Sequence, residues 1–198
     1  NTISFYDASV EEYRAKTENL QDKAWLKRFI ALLPQKSRVL DVGCAYSRDC
    51  KYFIQHDIDT YGIDLSKQMI KLAQEYTNKA NFKVMDVFDL KFPDAYFDGV
   101  WCSAVLLHLK KSDVLLAISE IRRVLKRGGI FYIAVKEGEG EEIIKDERYS
   151  GAEKFYSYFT ESEIKRLLEV QGFEIVKSKT AHYKDEYRTN GVIYVISR

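Results

Sequence analysis

The sequence predicts an α/β fold: a three-layer sandwich whose mostly parallel seven-stranded sheet has its last strand antiparallel and carries helices on both faces. Three features predict it. Short β-branched segments alternate with segments whose apolar residues recur at helical spacing. The connections are short, and consecutive parallel strands need a crossover element between them. The 198 residues, 46% of them hydrophobic, suffice for one domain with a sizeable core.

The first half of the chain supplies three strands and their intervening helices. Apolar positions at helical spacing in residues 8–33, closed by Pro34, predict one or two leading helices. Ser66 is placed to cap the helix after the second strand. The elements predicted next are a strand at 37–42, a helix at 47–55, a strand at 58–64, the helix capped by Ser66 and a strand near 82–85.

The second half continues the alternation and ends in two neighbouring strands. A basic run before Gly128-Gly129 predicts a helix C-terminus, because cations suit the negative end of the helix dipole. Thr160 and Glu163 have the spacing of a capping box. The predicted elements are strands at 97–102 and 130–135, helices at about 112–126 and after Thr160, and a strand pair at 173–180 and 192–197 joined through the polar stretch 182–190.

Composition restricts the function classes. Lys plus Arg number 31 and Asp plus Glu 30, so the chain lacks the basic excess of a protein that binds phosphates, and nucleic acid is not the expected partner. Three cysteines without C-x-x-C spacing predict neither disulfides nor a metal site. There is no apolar run of roughly 18–20 residues and no signal-peptide pattern, so we expect a cytoplasmic protein without a membrane partner.

Residues 136–154 differ in character from the rest. Seven acidic and four basic residues surround three glycines in this stretch, where a connection crosses the top of the sheet. The composition is typical of a solvated loop or charged helix. The alternative is a mobile lid over a site, inserted at residues 136–158.

Three acids are in register with the strand ends. Asp41, Asp64 and Asp86 fall at or just beyond the first three strands, 23 and 22 residues apart. Because ligands of such sheets lie at the carboxyl ends of the strands, this spacing suits a nucleoside lying across them. Asp64 is placed to accept both ribose hydroxyls and Asp86 to accept from the exocyclic amine of adenine, with Leu65 and Val87 as apolar walls.

Five successive motifs resemble those of class I S-adenosylmethionine-dependent methyltransferases. They are residues 39–44 with Arg48, 61–66 with Met69, 92–98, 106–109 and 124–129, and the resemblance is close over 37–135. It implies a single methyltransferase domain over 1–198 with an N-terminal helical cap at 1–35. It also implies S-adenosylmethionine as cofactor and S-adenosylhomocysteine as product.

The resemblance further implies a cofactor site in which ligand approaches the backbone of loop 43–47. The family usually has Gly at the positions of Ala45 and Ser47, and these are mild replacements if the local φ stays negative. Tyr46 and Arg48 either contact the methionine end of the cofactor, or Tyr46 packs on the helix and Arg48 is solvated. The implied cofactor-binding residues are Tyr13, Asp41, Gly43, Cys44, Ala45, Arg48, Asp64, Leu65, Ser66, Met69, Asp86, Val87, Cys102 and Ser103.

Methyl transfer from a sulfonium is an in-line displacement, in which alignment lowers the barrier and a base is needed only if the acceptor must lose a proton. His108, after the fourth strand, is the candidate general base, with a hydrogen-bonded structural histidine as the alternative. Tyr6, Lys136 and Tyr158 are the candidate substrate-binding residues.

A small-molecule acceptor methylated on O or N is expected, because the neutral charge and the acidic stretch 137–147 oppose a polyanion. The alternatives are a tRNA or RNA methyltransferase and a non-catalytic module that binds S-adenosylmethionine. A nicotinamide-dependent dehydrogenase would require the motif G-x-G-x-x-G, and a phosphate-binding NTPase would require G-K-[ST]. The sequence has neither motif. The sequence predicts no oligomeric state.

Overall fold

The computed structural model describes residues 2–149, 151–183 and 191–198. Within them, seven strands form the main sheet in the order β3-β2-β1-β4-β5-β9-β8, and β6 and β7 form a separate hairpin. The strands are β1 (Arg38–Val42), β2 (Asp59–Asp64), β3 (Asn81–Val84), β4 (Phe97–Ser103), β5 (Leu125–Lys136), β6 (Glu141–Asp146), β7 (Ala152–Ser157), β8 (Ile175–Ala181) and β9 (Val192–Ser197). The helices are α1 (Thr2–Ala8), α2 (Val10–Thr17), α3 (Lys23–Ala31), α4 (Arg48–Ile54), α5 (Lys67–Tyr76), α6 (Lys111–Val124) and α7 (Glu161–Val170).

The predicted sheet is confirmed. β1 pairs in parallel with β2 and β4, while β9 is antiparallel to both β5 and β8. Most of the polar stretch predicted to join the last two strands, residues 184–190, lies outside the described residues.

The two faces of the sheet carry two cores, which makes the three layers. Phe29 of α3 packs with Val39 on one face, together with Trp101 stacked on Tyr132 at a ring separation of 3.6 Å. Ile118 of α6 packs on the other face with residues of α7. Strands buried on both sides read as continuous apolar runs, which is why the sequence pattern locates them.

Both predicted helix caps are confirmed. Ser66 Oγ accepts the backbone N–H of Met69 at 3.0 Å, and Thr160 and Glu163 form a reciprocal capping box. The leading helical region differs from the prediction, because the described residues form three helices before β1 rather than one or two.

The predicted end of α6 at Gly128-Gly129 is wrong. The helix ends at Val124 and β5 begins at Leu125, which pairs with Phe97 of β4. Gly128 (φ 73°) lies inside this strand. Lys126 therefore forms an ion pair with Asp98 (Nζ to Oδ1, 2.7 Å) and does not cap a helix.

The interpretation of residues 136–154 as a solvated loop or charged helix is also wrong. β6 and β7 pair in antiparallel register from Glu141 opposite Ser157 to Asp146 opposite Ala152. Lys154 and Asp146 form an ion pair (2.9 Å) whose side chains are 2% and 3% exposed. Among the described residues, none of the helices is both long and apolar enough to cross a bilayer.

Candidate active site

A cavity of about 530 Å³ lies at the carboxyl ends of β1, β2, β4 and β5. From β1 the chain runs to β2 on one side, while β4 lies on the other side, so the strand order reverses at this point. A crevice opens where the order of parallel strands reverses, and this is where such sheets bind ligands. The volume is in the range that encloses a small organic molecule.

The loop after β1 has an unusual backbone. Gly43, Ala45 and Ser47 have φ values of 68°, 45° and 73°. The condition that φ stays negative at Ala45 and Ser47 is therefore not met, and both residues adopt a left-handed conformation that costs about 1–2 kcal/mol for a side chain bearing Cβ. A Cβ at Gly43 would collide with Val105 Cγ2, so glycine is required there for space as well as conformation.

Asp64 holds this loop in place. Its Oδ2 accepts the backbone N–H of Ala45 at 3.0 Å and its Oδ1 accepts that of Ser66 at 2.8 Å. Burial raises the pKa of Asp64, although both amides favour the ionised form. A carboxylate oxygen can accept two hydrogen bonds, so the side chain keeps acceptor capacity toward the cavity that it lines.

Asp41 is the most deeply placed acid of the cavity wall. It is 3% exposed and accepts from Cys50 Sγ at 3.2 Å. Burial raises the pKa of Asp41 well above its ordinary value, and the neighbouring Asp49 adds to that effect. A cation bound beside Asp41 would favour its ionised form, so the site suits a ligand that carries positive charge.

Arg48 and Tyr46 are held within the protein. Arg48 Nε lies 3.0 Å from Asp49 Oδ1, and its Nη1 donates to the carbonyl of Thr17 at 3.1 Å. The solvated alternative for Arg48 is therefore wrong. Tyr46, 1% exposed, packs against Met69 with its hydroxyl 3.2 Å from Thr17 Oγ1. Both side chains also line the cavity.

Asp49 anchors this side of the cavity to the sheet. Trp101 Nε1 donates to its Oδ2 at 3.0 Å, and Gln21 Nε2 donates to its Oδ1 at 3.2 Å. Burial opposes ionisation, but the Arg48 ion pair and these hydrogen bonds hold the pKa of Asp49 below its ordinary value. The acid thus stays ionised and fixes Arg48.

The opposite side of the cavity is aromatic and basic. Lys154 Nζ lies 3.8 Å from the ring centre of Phe5 and 4.2 Å from that of Tyr149. Lys136 Nζ lies 4.2 Å from the ring centre of Tyr156. These contacts join α1, the end of β5 and the β6–β7 hairpin into one wall.

His108 has hydrogen-bond partners on both ring nitrogens. Nδ1 lies 3.0 Å from the carbonyl oxygen of Phe155, and Nε2 lies 3.1 Å from the Tyr6 hydroxyl. Since a carbonyl only accepts, Nδ1 carries the proton and Nε2 accepts from Tyr6. Burial, with a smaller contribution from Lys154 and Lys136, lowers the pKa of His108 to about 4. This geometry favours the structural alternative over the general base.

Four of the predicted site residues, three cofactor-binding candidates and one substrate-binding candidate, lie outside the cavity wall. Met69 is buried beneath Tyr46, Cys102 is 1% exposed, and Tyr158 packs with Leu107. Asp86 Oδ1 accepts the N–H of Phe88 at 3.0 Å. The predicted residues that do line the wall are Tyr6, Tyr13, Asp41, Gly43, Cys44, Ala45, Arg48, Asp64, Leu65, Ser66, Val87, Ser103, His108 and Lys136.

The sequence did not point to several wall residues, notably Asp49, Trp101, Tyr149 and Lys154. Asp49 directly follows the last residue of the first motif, which is a signal that could have found it. Lys154 carries no local signal, because it reaches the cavity only through hairpin pairing. Among the described residues, no group of three His, Cys, Asp or Glu is arranged to hold a metal ion.

The chain is similar in sequence to known methyltransferases. The methyltransferase domain family matches residues 40–133. The chain is 38% identical over 104 residues to the O-methyltransferase rstn1 of Aspergillus nomiae (49% of this chain, 45% of that protein). It is 33% identical over 119 residues to the demethylmenaquinone methyltransferase of Staphylococcus carnosus (56% and 48%). The chain thus spans about half the length of these curated relatives.

The fold is also similar to that of a Burkholderia thailandensis enzyme. This is 1,6-didemethyltoxoflavin-N1-methyltransferase, solved with bound 1,6-didemethyltoxoflavin and S-adenosylhomocysteine. The TM-score is 0.78 at 24% identity, over 98% of this chain and 85% of that one. At this identity the likeness concerns the fold.

Proposed function

We propose that the chain is a class I S-adenosylmethionine-dependent methyltransferase and that it transfers a methyl group to an O or N atom of a small-molecule acceptor. The observation that carries the proposal is that Asp41, Asp64 and the loop residues 43–46 line one cavity. Residues 1–198 would act as one domain, with the helices of 1–35 and the segment 136–158 covering the site.

The wall residues fit the cofactor by their donor and acceptor chemistry. Asp64 would accept from the two ribose hydroxyls, while Leu65 and Val87 would flank the base. Asp41 would lie toward the positively charged end of the cofactor. A cation there would offset the effect of burial and favour the ionised form of Asp41. When bound, S-adenosylmethionine supplies a methyl group already activated by the sulfonium.

The residues of this chain would contribute alignment and exclusion of water. Tyr6, Tyr13 and Tyr149 form a connected aromatic wall, with Tyr6 and Tyr13 rings 5.3 Å apart and Tyr13 and Tyr149 rings 6.4 Å apart. Rigid rings can hold an acceptor in line with the methyl group. The acceptor then loses its translational and rotational freedom on binding and not in the chemical step, which lowers the barrier of that step. No proton transfer to His108 is needed for that contribution.

Calorimetry with S-adenosylmethionine tests the cofactor assignment. Asp64→Ala removes two charge-assisted hydrogen bonds worth roughly 1.5–3 kcal/mol each, so affinity should fall at least tenfold. Asp64→Asn keeps one acceptor oxygen and should lose less. Asp86→Ala is the matched control, because Asp86 lies outside the wall. Its affinity should change much less than that of Asp64→Ala.

Because Asp64 also holds loop 43–47, thermal unfolding of each variant must show that the fold persists. Unchanged affinity in Asp64→Ala would contradict the assignment, and tight binding of NADH without S-adenosylmethionine would overturn the proposal. A screen of acceptors with labelled cofactor, read by mass, tests transfer itself. Cofactor binding without methylation of any acceptor would favour the non-catalytic module. Methylation of tRNA alone would favour the RNA methyltransferase.

A further inference from the structure

We propose, on the premise of that methyltransferase function, that the acceptor is a planar molecule bound as an oxyanion, a phenolate, enolate or carboxylate, against Lys136 and Lys154. The proposal rests on how charge is distributed in the cavity, on the shape of its aromatic walls and on the hydrogen bonding of His108.

Apart from Arg48, which is ion-paired with Asp49, the charged side chains that line the cavity lie in two groups. Its acids among the described residues are Asp22, which caps α3, Asp49 on α4, and Asp41 and Asp64 at the ends of β1 and β2. Its lysines are Lys136 at the end of β5 and Lys154 on β7. Neighbouring strands are about 4.8 Å apart, so the ends of β2 and β5, three steps apart in the sheet, are separated by about 14 Å.

The acids and the lysines are held by different elements of the fold. A cationic cofactor lies where the acids are, so its acceptor lies toward the lysines. The acids Glu141 and Glu142 of the hairpin do not contribute negative charge to the cavity wall, because both are exposed and lie outside it. Asp146 forms an ion pair with Lys154, which orients that side chain, and Asp146 itself lies outside the cavity wall.

The basic end of the cavity is shaped for a flat ligand. The Tyr156 ring lies 5.0 Å from the His108 ring, and the Tyr6 ring lies 5.9 Å from it on another side. Tyr149 adds a ring whose plane is inclined by 29° to that of Tyr13, with the ring centres 6.4 Å apart. Faces and edges of aromatic rings pack best against a planar, conjugated molecule, and conjugation also stabilises an oxyanion.

An ionised acceptor also explains how transfer proceeds without a base at this end. His108 Nε2 already accepts from the Tyr6 hydroxyl, and its Nδ1 proton is held by Phe155. A neutral amine or alcohol would release a proton that this pair is poorly placed to take. An oxyanion releases none.

The atoms balance in that step. A lone pair of the acceptor oxygen bonds to the methyl carbon as the carbon–sulfur bond breaks and its electron pair returns to sulfur. The negative charge of the oxygen and the positive charge of the sulfonium cancel. The two lysines bind the anion before the step and release the neutral methyl ether or ester more easily.

Probe binding to the protein loaded with S-adenosylhomocysteine tests the acceptor class. Two matched pairs are titrated by calorimetry: benzoate against benzamide, and 4-nitrophenolate against nitrobenzene. We expect each anion to bind at least tenfold more tightly than its neutral partner. Absorbance of bound 4-nitrophenol should show an increased phenolate fraction at fixed pH.

Three variants test whether Lys136 is responsible for the preference for the anion. Lys136→Gln should reduce the preference for the anion at least fivefold, and Lys136→Arg should retain it. Lys145→Gln, on the exposed side of the same hairpin, should leave it unchanged. Equal binding of anion and neutral partner, binding of neither, or an undiminished preference in Lys136→Gln would overturn the proposal. Failure to bind S-adenosylhomocysteine would instead contradict the proposed function.

Discussion

The two ends of the cavity are built differently. The acidic end belongs to the central sheet, where Asp64 accepts amides from Ala45 and Ser66 in the adjoining loops. The basic end is assembled from distant parts of the chain: Tyr6 meets His108, 102 residues away, and Thr2 Oγ1 accepts the backbone N–H of Phe155, 153 residues away. The difference teaches that much of the acceptor end can vary without a change in the sheet, because apart from Lys136 and His108 it rests on α1 and on the separate β6–β7 hairpin.

The largest effect is expected at the ion pair within that hairpin. Lys154→Met removes the ion-pair partner of the buried Asp146 carboxylate, which should reduce the free energy of unfolding by about 3–5 kcal/mol. Chemical denaturation measures the loss. Hydrogen exchange should increase in the β6–β7 hairpin while that of β1 and β2 changes little, if the two ends are independent.

The double variant Lys154→Met/Asp146→Leu should recover most of this stability, since no buried charge remains. Lys145→Met, at an exposed position of β6, is the single-site control and should change stability by less than about 0.5 kcal/mol. Equal loosening of β1 and the hairpin in Lys154→Met would break the distinction between the two ends.

The pH dependence of stability sharpens the comparison next. The pKa of His108 is about 4 in the folded protein against 6.5 when unperturbed, so the unfolded chain takes up its proton first as the pH falls. The stability contributed by neutral His108 is complete above pH 6.5 and decreases by about 3 kcal/mol as the pH falls to 4. Urea titrations at several pH values measure this slope.

His108→Gln removes the titrating group and should flatten the slope between pH 6.5 and 4. His56→Gln, which changes an exposed histidine, should keep the wild-type slope. If His108→Gln kept the full slope, the basic end would contain another group responsible for it.

The smallest effects concern the left-handed loop of the acidic end. Ser47→Gly should raise the free energy of unfolding by about 1–2 kcal/mol, because it relieves the backbone and removes a buried Oγ without a hydrogen-bond partner among the described residues. Ala45→Gly should add about 0.5–1 kcal/mol. Thermal unfolding, with calorimetry of cofactor binding, measures both.

Gly43→Ala is the control of opposite sign and should destabilise the protein by at least about 1 kcal/mol, since its Cβ would collide with Val105. If Ser47→Gly and Ala45→Gly both destabilised the protein, the side chains of Ala45 and Ser47 would make favourable contacts that outweigh their backbone strain.

The cofactor end could be predicted from the sequence because its signals are local. Apolar runs locate β1 and β2, the motif around Gly43 follows directly, and Ser66 caps α5 through a residue three positions away. The spacing of Asp41 and Asp64 then brings both acids to one edge of a parallel sheet. The spacing also predicts Asp86 in the site, but its carboxylate accepts the nearby backbone N–H of Phe88 and lies outside the cavity wall.

The sequence by itself thus determined the sheet, its strand directions, the family and most of the wall at the acidic end. Only the tertiary structure decided the left-handed φ values of Ala45 and Ser47, the pairing of Lys154 with Asp146 and the hydrogen bonds of His108. The physical reason is distance along the chain. Helix caps, apolar periodicity and strand order arise from neighbouring residues. The charged segment packs as a hairpin only when α1 supplies the Phe5 ring beside Lys154 and β5 supplies Lys136 beside Tyr156.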